Sequence, residues 1–262
     1  MTAKILRYDV NLSILFTELP MLERPAAAAG HGFDAVEMWW PFDGPVPADR
    51  ELDALAGAVT DAGVSLVGLN FDAGDMPSGD RGLLSAHSTS GRFRDNVDVA
   101  VGFAERMGCR VLNALYGNTS EDTDHDLALE NLALAVTAAR RIGATVVIEA
   151  LNSHENTRYP LTSSKTALEV VDQVPGTAFL ADFYHLSRMG EDIRALIANS
   201  AERFGHVQIA DSPGRGQPGT GEIDYADVLT LLVASPYDGS VGLEYKPVGP
   251  SAKSFGWLED MP

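Results

Sequence analysis

Cysteine is almost missing from this 262-residue chain: Cys109 stands alone. No internal disulfide can form, a pattern that fits the reducing cytoplasm. Long apolar runs are missing too. No stretch approaches the roughly 18 apolar residues that a spanning helix needs, although apolar residues make up 45% of the chain and suffice for a large core. Basic residues are scarce, 19 Lys and Arg against 37 Asp and Glu, for a formal charge of −18. That balance argues against nucleic acid and anionic membranes as partners, because both are bound through basic surface. A small anionic substrate stays open if individual Arg or Lys residues hold it. No GxGxxG follows the first strand-like run, and no low-complexity tract or charge block marks a domain boundary. The opening MTAKILRYDVNLSILF sets Lys4 and Arg7 ahead of an apolar stretch, but Asp9 and Asn11 interrupt it and no small-residue cleavage site follows. It therefore reads as a first strand and not as a signal peptide.

What is present is an unbroken alternation of strand-like and helix-like segments. Strands are expected at 10–16, 33–39, 64–71 and 110–117, then in TVVIEAL, AFLADFYHL, HVQIAD and VGLEYKP. Short apolar runs bounded by Gly, Pro or polar residues suit strands buried on both faces of a parallel sheet. Helices are expected over 48–62, 92–107 and 124–141, among others. Connections into strands are terse (Ala62-Gly63, Gly108-Cys109, Ile142-Gly143), whereas those leaving strands are long: 72–91, NSHENTRYPLTSS and DSPGRGQPGTGE. The Gly, Ser, Pro and Asp content of 72–91 predicts irregular structure throughout. Eight such units in about 250 residues, with the long loops all at one end, predict an α/β fold of the (β/α)8 TIM-barrel type, a single domain over 1–262.

Each of the last four strand-like runs carries one oxygen-bearing side chain: Glu149, Asp182, Gln208 and Glu244, at intervals of 33, 26 and 36 residues. That is one per βα unit, in the C-terminal half of each strand, where a barrel gathers its functional side chains. Three carboxylates there resist joint ionisation unless a positive charge lies among them. An all-oxygen set without Cys suits Mg²⁺ or Mn²⁺. His185, three residues past Asp182, is a candidate for the same site. Glu37 ends strand 2 and either orients a substrate hydroxyl or pairs with a nearby cation. Asn70 ends strand 3 and is a candidate for hydrogen bonding to substrate. Trp39, Trp40 and Phe71 read as an apolar wall or an oligomer contact, and Phe255 and Trp257 as packing on the barrel or on a second subunit.

AGDMPSGDRG, QIADSPGRGQPGTGEIDY, GFDAVEMWWPF, ADFYHLSRMGEDI and VGLEYKP together resemble the hydroxypyruvate isomerases of the xylose isomerase-like (β/α)8 superfamily, which also holds 2-oxotetronate isomerases and ketose 3-epimerases. The likeness runs nearly end to end. It implies that Glu149, Asp182, Gln208 and Glu244 are metal ligands, that Glu149 and Glu244 are the acid/base pair, that His185 assists at a substrate oxygen, and that Arg215 meets substrate at the rim. Gln208 stands where the epimerases commonly carry His. The chain departs from the pattern at Ala150, where these isomerases usually have Pro, and in the loops NSHENTRYPLTSS and LLSAHSTSG.

The implied chemistry moves one proton between adjacent carbons, as between hydroxypyruvate and tartronate semialdehyde or in a close 2-oxo acid sugar such as 2-oxotetronate, with one Glu as base and the other as acid. A substrate carboxylate calls for a guanidinium; Arg215 is the first choice, with Arg158 and Arg81 behind it. Three rivals stand. A neutral ketose could be the substrate at the same site. Phosphodiester cleavage as in endonuclease IV would need several His ligands in a basic groove, which six His in so acidic a chain do not suit. A catalytically silent sugar-binding barrel would not require two glutamates placed as an acid/base pair. A homo-oligomer is a further expectation, by analogy with the superfamily.

Overall fold

The apolar runs pair side by side as parallel strands because neither of their faces tolerates water. In the computed structural model, which describes residues 5–261, they are β1 (Tyr8–Asn11), β2 (Ala35–Met38), β3 (Ser65–Asn70), β4 (Val111–Asn113), β5 (Thr145–Glu149), β6 (Thr177–Asp182), β7 (Phe204–Ile209) and β8 (Val241–Leu243). They close into a barrel in chain order, β8 pairing with β1 through Tyr8–Val241, Asp9–Gly242 and Val10–Leu243. This is a TIM barrel built as one α/β domain. Lys4, placed before the first strand on sequence grounds, lies outside the described residues.

The helices are α1 (Arg24–Gly30), α2 (Asp49–Asp61), α3 (His87–Met107), α4 (His125–Arg140), α5 (Ser164–Gln173), α6 (Phe183–Arg188), α7 (Ile193–Ser200) and α8 (Tyr225–Ala234). Several begin at side-chain caps that satisfy free backbone N–H groups: Asp124 for α4, Ser163 for α5, Asp192 for α7 and Asp224 for α8. No described helix is long and apolar enough to cross a membrane. Cys109 is a buried core residue.

Three local expectations need correction. The first strand was expected to run to Phe16, yet it ends at Asn11. The Asn11 side-chain oxygen takes the N–H of Ser13 at 3.0 Å and its carbonyl takes that of Leu15 at 2.9 Å, turning the chain while Leu12 and Leu15 stay buried. Likewise β4 stops at Asn113, and the buried Ala114–Tyr116 continue as loop. An apolar run reports burial, and burial is shared by strands and by loops that dive into the barrel mouth. The loop 72–91 is not irregular to its end, since α3 starts at His87. Its first turn is capped from the next loop, Ser88 N–H donating to Asp122 Oδ2 at 2.8 Å, a partner that local sequence does not disclose.

Beyond β8 the chain turns through 3-10 segments at Ser251–Lys253 and Gly256–Asp260. Phe255 packs on Phe33 and Phe16, with ring centroids 4.8 and 5.8 Å apart, and Trp257 packs edge-on to Tyr8 at 5.7 Å. These aromatics therefore cover the barrel's own wall.

Candidate metal and substrate site

A barrel delivers the residues at its strand ends to one place. Glu149 ends β5, Asp182 ends β6, Gln208 is next to last in β7, and Glu244 follows β8 directly. All four are at most 5% exposed. Glu149 and Glu244 line a cavity of about 150 Å³ together with Trp39, Asn70, Arg81, His185, Arg215 and Lys246. Asp182 and Gln208 do not appear in its wall and lie deeper.

Each carboxylate is held differently. Asp182 caps α6: its Oδ1 accepts the N–H groups of Tyr184 at 2.8 Å and His185 at 3.3 Å, while its Oδ2 has no hydrogen-bond partner. Gln208 donates Nε2–H to Glu37 at 2.7 Å, and its Oε1 is likewise buried without a partner. Glu149 accepts one bond, from Asn113 Nδ2 at 2.9 Å. Glu244 accepts three bonds, Oε1 from Trp39 Nε1 (2.8 Å) and Asn11 Nδ2 (3.0 Å), Oε2 from Arg215 Nη2 (2.6 Å).

His185 reads clearly from its neighbours. Its Nδ1 lies 3.0 Å from the backbone N–H of Asn152, which can only donate, so Nδ1 accepts and the ring proton sits on Nε2. Burial, reinforced by Arg215 and Arg81, holds its pKa well below the usual value, so the ring stays neutral. A neutral ring with Nε2–H offers a hydrogen bond and not a lone pair.

Burial is the main cause of the raised carboxylate pKa values. It pushes Glu149 well above the ordinary range, assisted by the charges of Glu244 and Asp182. It lifts Asp182 to about 8, with Glu244 adding to the effect. Glu244 also rises, although the Arg215 guanidinium pulls it back. Like charges are thus crowded beside two buried oxygens that lack a hydrogen bond, Glu149 and Asp182 bringing carboxylate oxygens within 4.8 Å of each other, with the protonated His185 Nε2 3.7 Å from Asp182 Oδ2. Unsatisfied buried acceptors are costly, and a divalent cation would satisfy them; the oxygen-rich set fits such an ion.

This arrangement has a pH consequence. Asp182 has a folded pKa raised to about 8, against about 3.9 in an unfolded chain. The stability it contributes is present below the unfolded value and is lost as pH climbs from about 4 to about 8. A bound cation replaces those protons. Added Mn²⁺ should therefore raise the melting temperature more at pH 8 than at pH 5, and should release protons when titrated in near neutral, weakly buffered solution. Equal shifts at the two pH values would place any binding elsewhere.

The other expected contacts divide. Asn70 lines the cavity. Glu37 does not: it is 3% exposed, below the site, tied to Asn11, Gln208 and His206. Arg158 is exposed and absent from the cavity wall. Arg215 lines the cavity but is largely spent on Glu244, and its guanidinium carbon sits 5.2 Å from the Tyr184 ring centroid. Arg81 faces the cavity with Nε on Asn156 (2.6 Å) and Nη1 on the carbonyls of Met76 and Asp80 (3.0 and 2.6 Å), leaving Nη2 without a partner among the described residues.

Sequence reasoning passed over several contributors. Trp39 is a hydrogen-bond donor to Glu244, not a mere wall. Asp211 staples the loop that carries Arg215, accepting the N–H groups of Ser212, Gly219, Gly221 and Ile223. A Cβ on Gly221 would stand 2.1 Å from the Ser212 carbonyl oxygen, so only glycine fits that turn. Arg215 itself takes a left-handed φ of 57°, a strained conformation for a non-glycine residue and one that sites retain for function. The signal for Asp211 lay in its place between a β-strand and a Gly/Pro-rich loop, where a carboxylate can collect backbone donors.

Comparison with known proteins gives the chain's relatives. The model of the xylose isomerase-like TIM barrel family matches residues 25–261. A Streptomyces coelicolor protein provisionally named hydroxypyruvate isomerase is 58% identical over 96% of this chain and 95% of its own. The hydroxypyruvate isomerase of Escherichia coli K12 is 33% identical over 97% of this chain and 99% of its own. Among solved structures, a Brucella melitensis protein described as an AP endonuclease of family 2 superimposes with a TM-score of 0.89 at 33% identity, covering 98% of this chain and 99% of that one.

Proposed function

This chain belongs to the hydroxypyruvate isomerase family of xylose isomerase-like TIM barrels and is an isomerase of that type, and from this we propose that it interconverts hydroxypyruvate and tartronate semialdehyde, or a close 2-oxo acid sugar such as 2-oxotetronate. The observation that carries the proposal is the pair of buried oxygens without a hydrogen bond, Asp182 Oδ2 and Gln208 Oε1, beside a small cavity lined by Arg81, Arg215 and Lys246 as well as by Glu149, Glu155 and Glu244.

Glu149, Asp182, Gln208 and Glu244 would hold a divalent ion, Mg²⁺ or Mn²⁺ by the all-oxygen donor set. When bound, that ion supplies Lewis acidity toward the charge that develops on two adjacent substrate oxygens. The chain's own residues do the rest. Glu149 and Glu244 both face the cavity, and burial raises the pKa of each above the ordinary carboxylate value, which favours holding and passing a proton. One takes a proton from the substrate carbon, giving an enediolate, the other gives its own proton to the neighbouring carbon, and the substrate hydroxyl proton passes to the adjacent oxygen, so the two glutamates end with their protonation states exchanged. The neutral His185 directs Nε2–H at a substrate oxygen. Leu115, Leu151 and Met76 in the wall limit water around the reacting carbons.

For the substrate carboxylate, the geometry moves preference from Arg215 to Arg81, whose Nη2 is free while its other donors are locked by the loop. Arg81→Met should raise KM for a 2-oxo acid roughly tenfold to a hundredfold, matching about 1.5–3 kcal/mol for a hydrogen bond to a charged group, with kcat much less affected. An unchanged KM would leave the carboxylate to another cation.

The function itself is tested by assaying the purified protein on hydroxypyruvate, a 2-oxotetronate and fructose side by side, with Mn²⁺ or with EDTA. Turnover confined to the 2-oxo acids and lost on chelation is the expected result. Turnover of fructose alone would make the substrate a neutral ketose, and turnover that survives EDTA would remove the metal assignment.

A further inference from the structure

We infer that Glu37 is a positioning residue: lying beneath the site, it fixes which way round the amides of Gln208 and Asn11 sit, so that Gln208 turns its oxygen toward the cation and Asn11 turns its NH2 toward Glu244. The inference rests on the cation site proposed above.

A carboxylate accepts hydrogen bonds and cannot donate them. Glu37 Oε1 accepts Gln208 Nε2–H at 2.7 Å and Asn11 Nδ2–H at 2.9 Å, and its Oε2 pairs with His206 Nε2 at 2.5 Å. Each amide must therefore present its nitrogen to Glu37. For Gln208 the consequence is that Oε1 points away from Glu37, buried and without a partner. For Asn11 the other end is fixed as well, because Oδ1 takes the Ser13 N–H, and the same Nδ2 reaches Glu244 Oε1 at 3.0 Å. One side chain on β2 thus orients groups on β7 and β1 and, through Asn11, the glutamate after β8.

Neighbouring strands are shaped to admit it. The β2–β3 register shifts between Val36 and Glu37, which sets Glu37 beside Gly68. A Cβ on Gly68 would lie 3.1 Å from Glu37 Cβ and Oε2, and one on Gly242 would lie 2.7 Å from Glu37 Oε1. These two glycines give space, since neither adopts a positive φ. His206 anchors the far oxygen, and Asp9, fully buried, completes a lower cluster whose ligand-type atoms lie within 4.8 Å of one another. His206 and Glu37 are committed to each other there, so this cluster supports the upper site.

The test exchanges the two groups. Mn²⁺ affinity is measured on the full chain by electron paramagnetic resonance of the free ion, with thermal melting to confirm folding, in the parent, Glu37→Gln, Gln208→Glu and the double variant carrying both. Glu37→Gln allows the Gln208 amide to turn over and should weaken Mn²⁺ binding on the order of tenfold to a hundredfold, the range for loss of a group that orients a ligand, while KM at saturating Mn²⁺ changes little. Gln208→Glu alone sets two carboxylates against each other. The double variant restores one donor facing one carboxylate between positions 37 and 208 and gives the cation a ligand that has no wrong way round, while the same NH2 now meets Asn11 Nδ2, so its affinity should rise clearly above that of Glu37→Gln without reaching the parent's. A double variant no better than Glu37→Gln would overturn the inference, because it would show that Glu37 serves the fold only. So would two Mn²⁺ per parent chain falling to one in Glu37→Gln, which would make the lower cluster an ion site itself. If the parent binds Mn²⁺ and Glu37→Gln binds it equally well, positioning fails while the cation site stands. A parent that binds no Mn²⁺ removes both.

Discussion

Glu149→Gln is expected to lower kcat by roughly 10²–10⁴-fold, the usual contribution of a positioned acid or base, while leaving the metal-free protein at least as stable as the parent. The two halves of this result have one cause. Glu149 is 5% exposed and crowded by Glu244 and Asp182, so its ionised form is disfavoured in the fold. The amide keeps the shape and can still accept from Asn113 Nδ2, yet it carries no charge to desolvate. It also cannot take or return a proton at these pH values. Because Glu149 is also a proposed ligand, kcat is to be measured at Mn²⁺ concentrations shown by titration to saturate the variant. Near-parent turnover under that condition would remove Glu149 from the acid/base pair.

Arg215→Met should damage both catalysis and stability. Arg215 Nη2 lies 2.6 Å from Glu244 Oε2, with the two side chains only 13% and 5% exposed. Removing one member of a buried ion pair leaves an uncompensated charge and costs about 3–5 kcal/mol, which for a chain of this size is a drop of roughly 6–20 °C in melting temperature. The expected kinetic signature is a fall in kcat for every substrate, since Glu244 loses the guanidinium that restrains its pKa. Arg215→Lys should recover little, because an ammonium cannot reproduce the planar fork that reaches both the carboxylate and the Glu244 carbonyl. A rise in KM for 2-oxo acids with kcat and melting temperature unchanged would instead return Arg215 to the role of carboxylate anchor.

These two residues show different depths of legibility. Glu149 could be placed from the chain alone, because a short apolar run ending in one carboxylate, repeated at the spacing of a βα unit, puts that carboxylate at a barrel mouth. Arg215 could be placed in a mouth loop, but not assigned a partner. Its pairing with Glu244 depends on a loop stapled by Asp211 and on a backbone conformation that no pattern of residue types announces. Trp39 is a similar case: an aromatic at a strand end reads as a wall until the orientation of its N–H is known.

By itself the sequence determined the TIM barrel, the resemblance to the hydroxypyruvate isomerases, and the strand ends that carry Glu149, Asp182, Gln208 and Glu244. Each follows from local periodicity, loop asymmetry or a contiguous motif. Only the tertiary structure decided that His185 carries its proton on Nε2, that α3 begins at a cap supplied by Asp122, and that Glu37 accepts from Gln208 below the site. The physical reason is common to all of them. Hydrogen bonds of these kinds join residues tens to hundreds of positions apart, as with the 171 between Glu37 and Gln208. Their geometry is set by strand register and barrel closure, which no single segment contains.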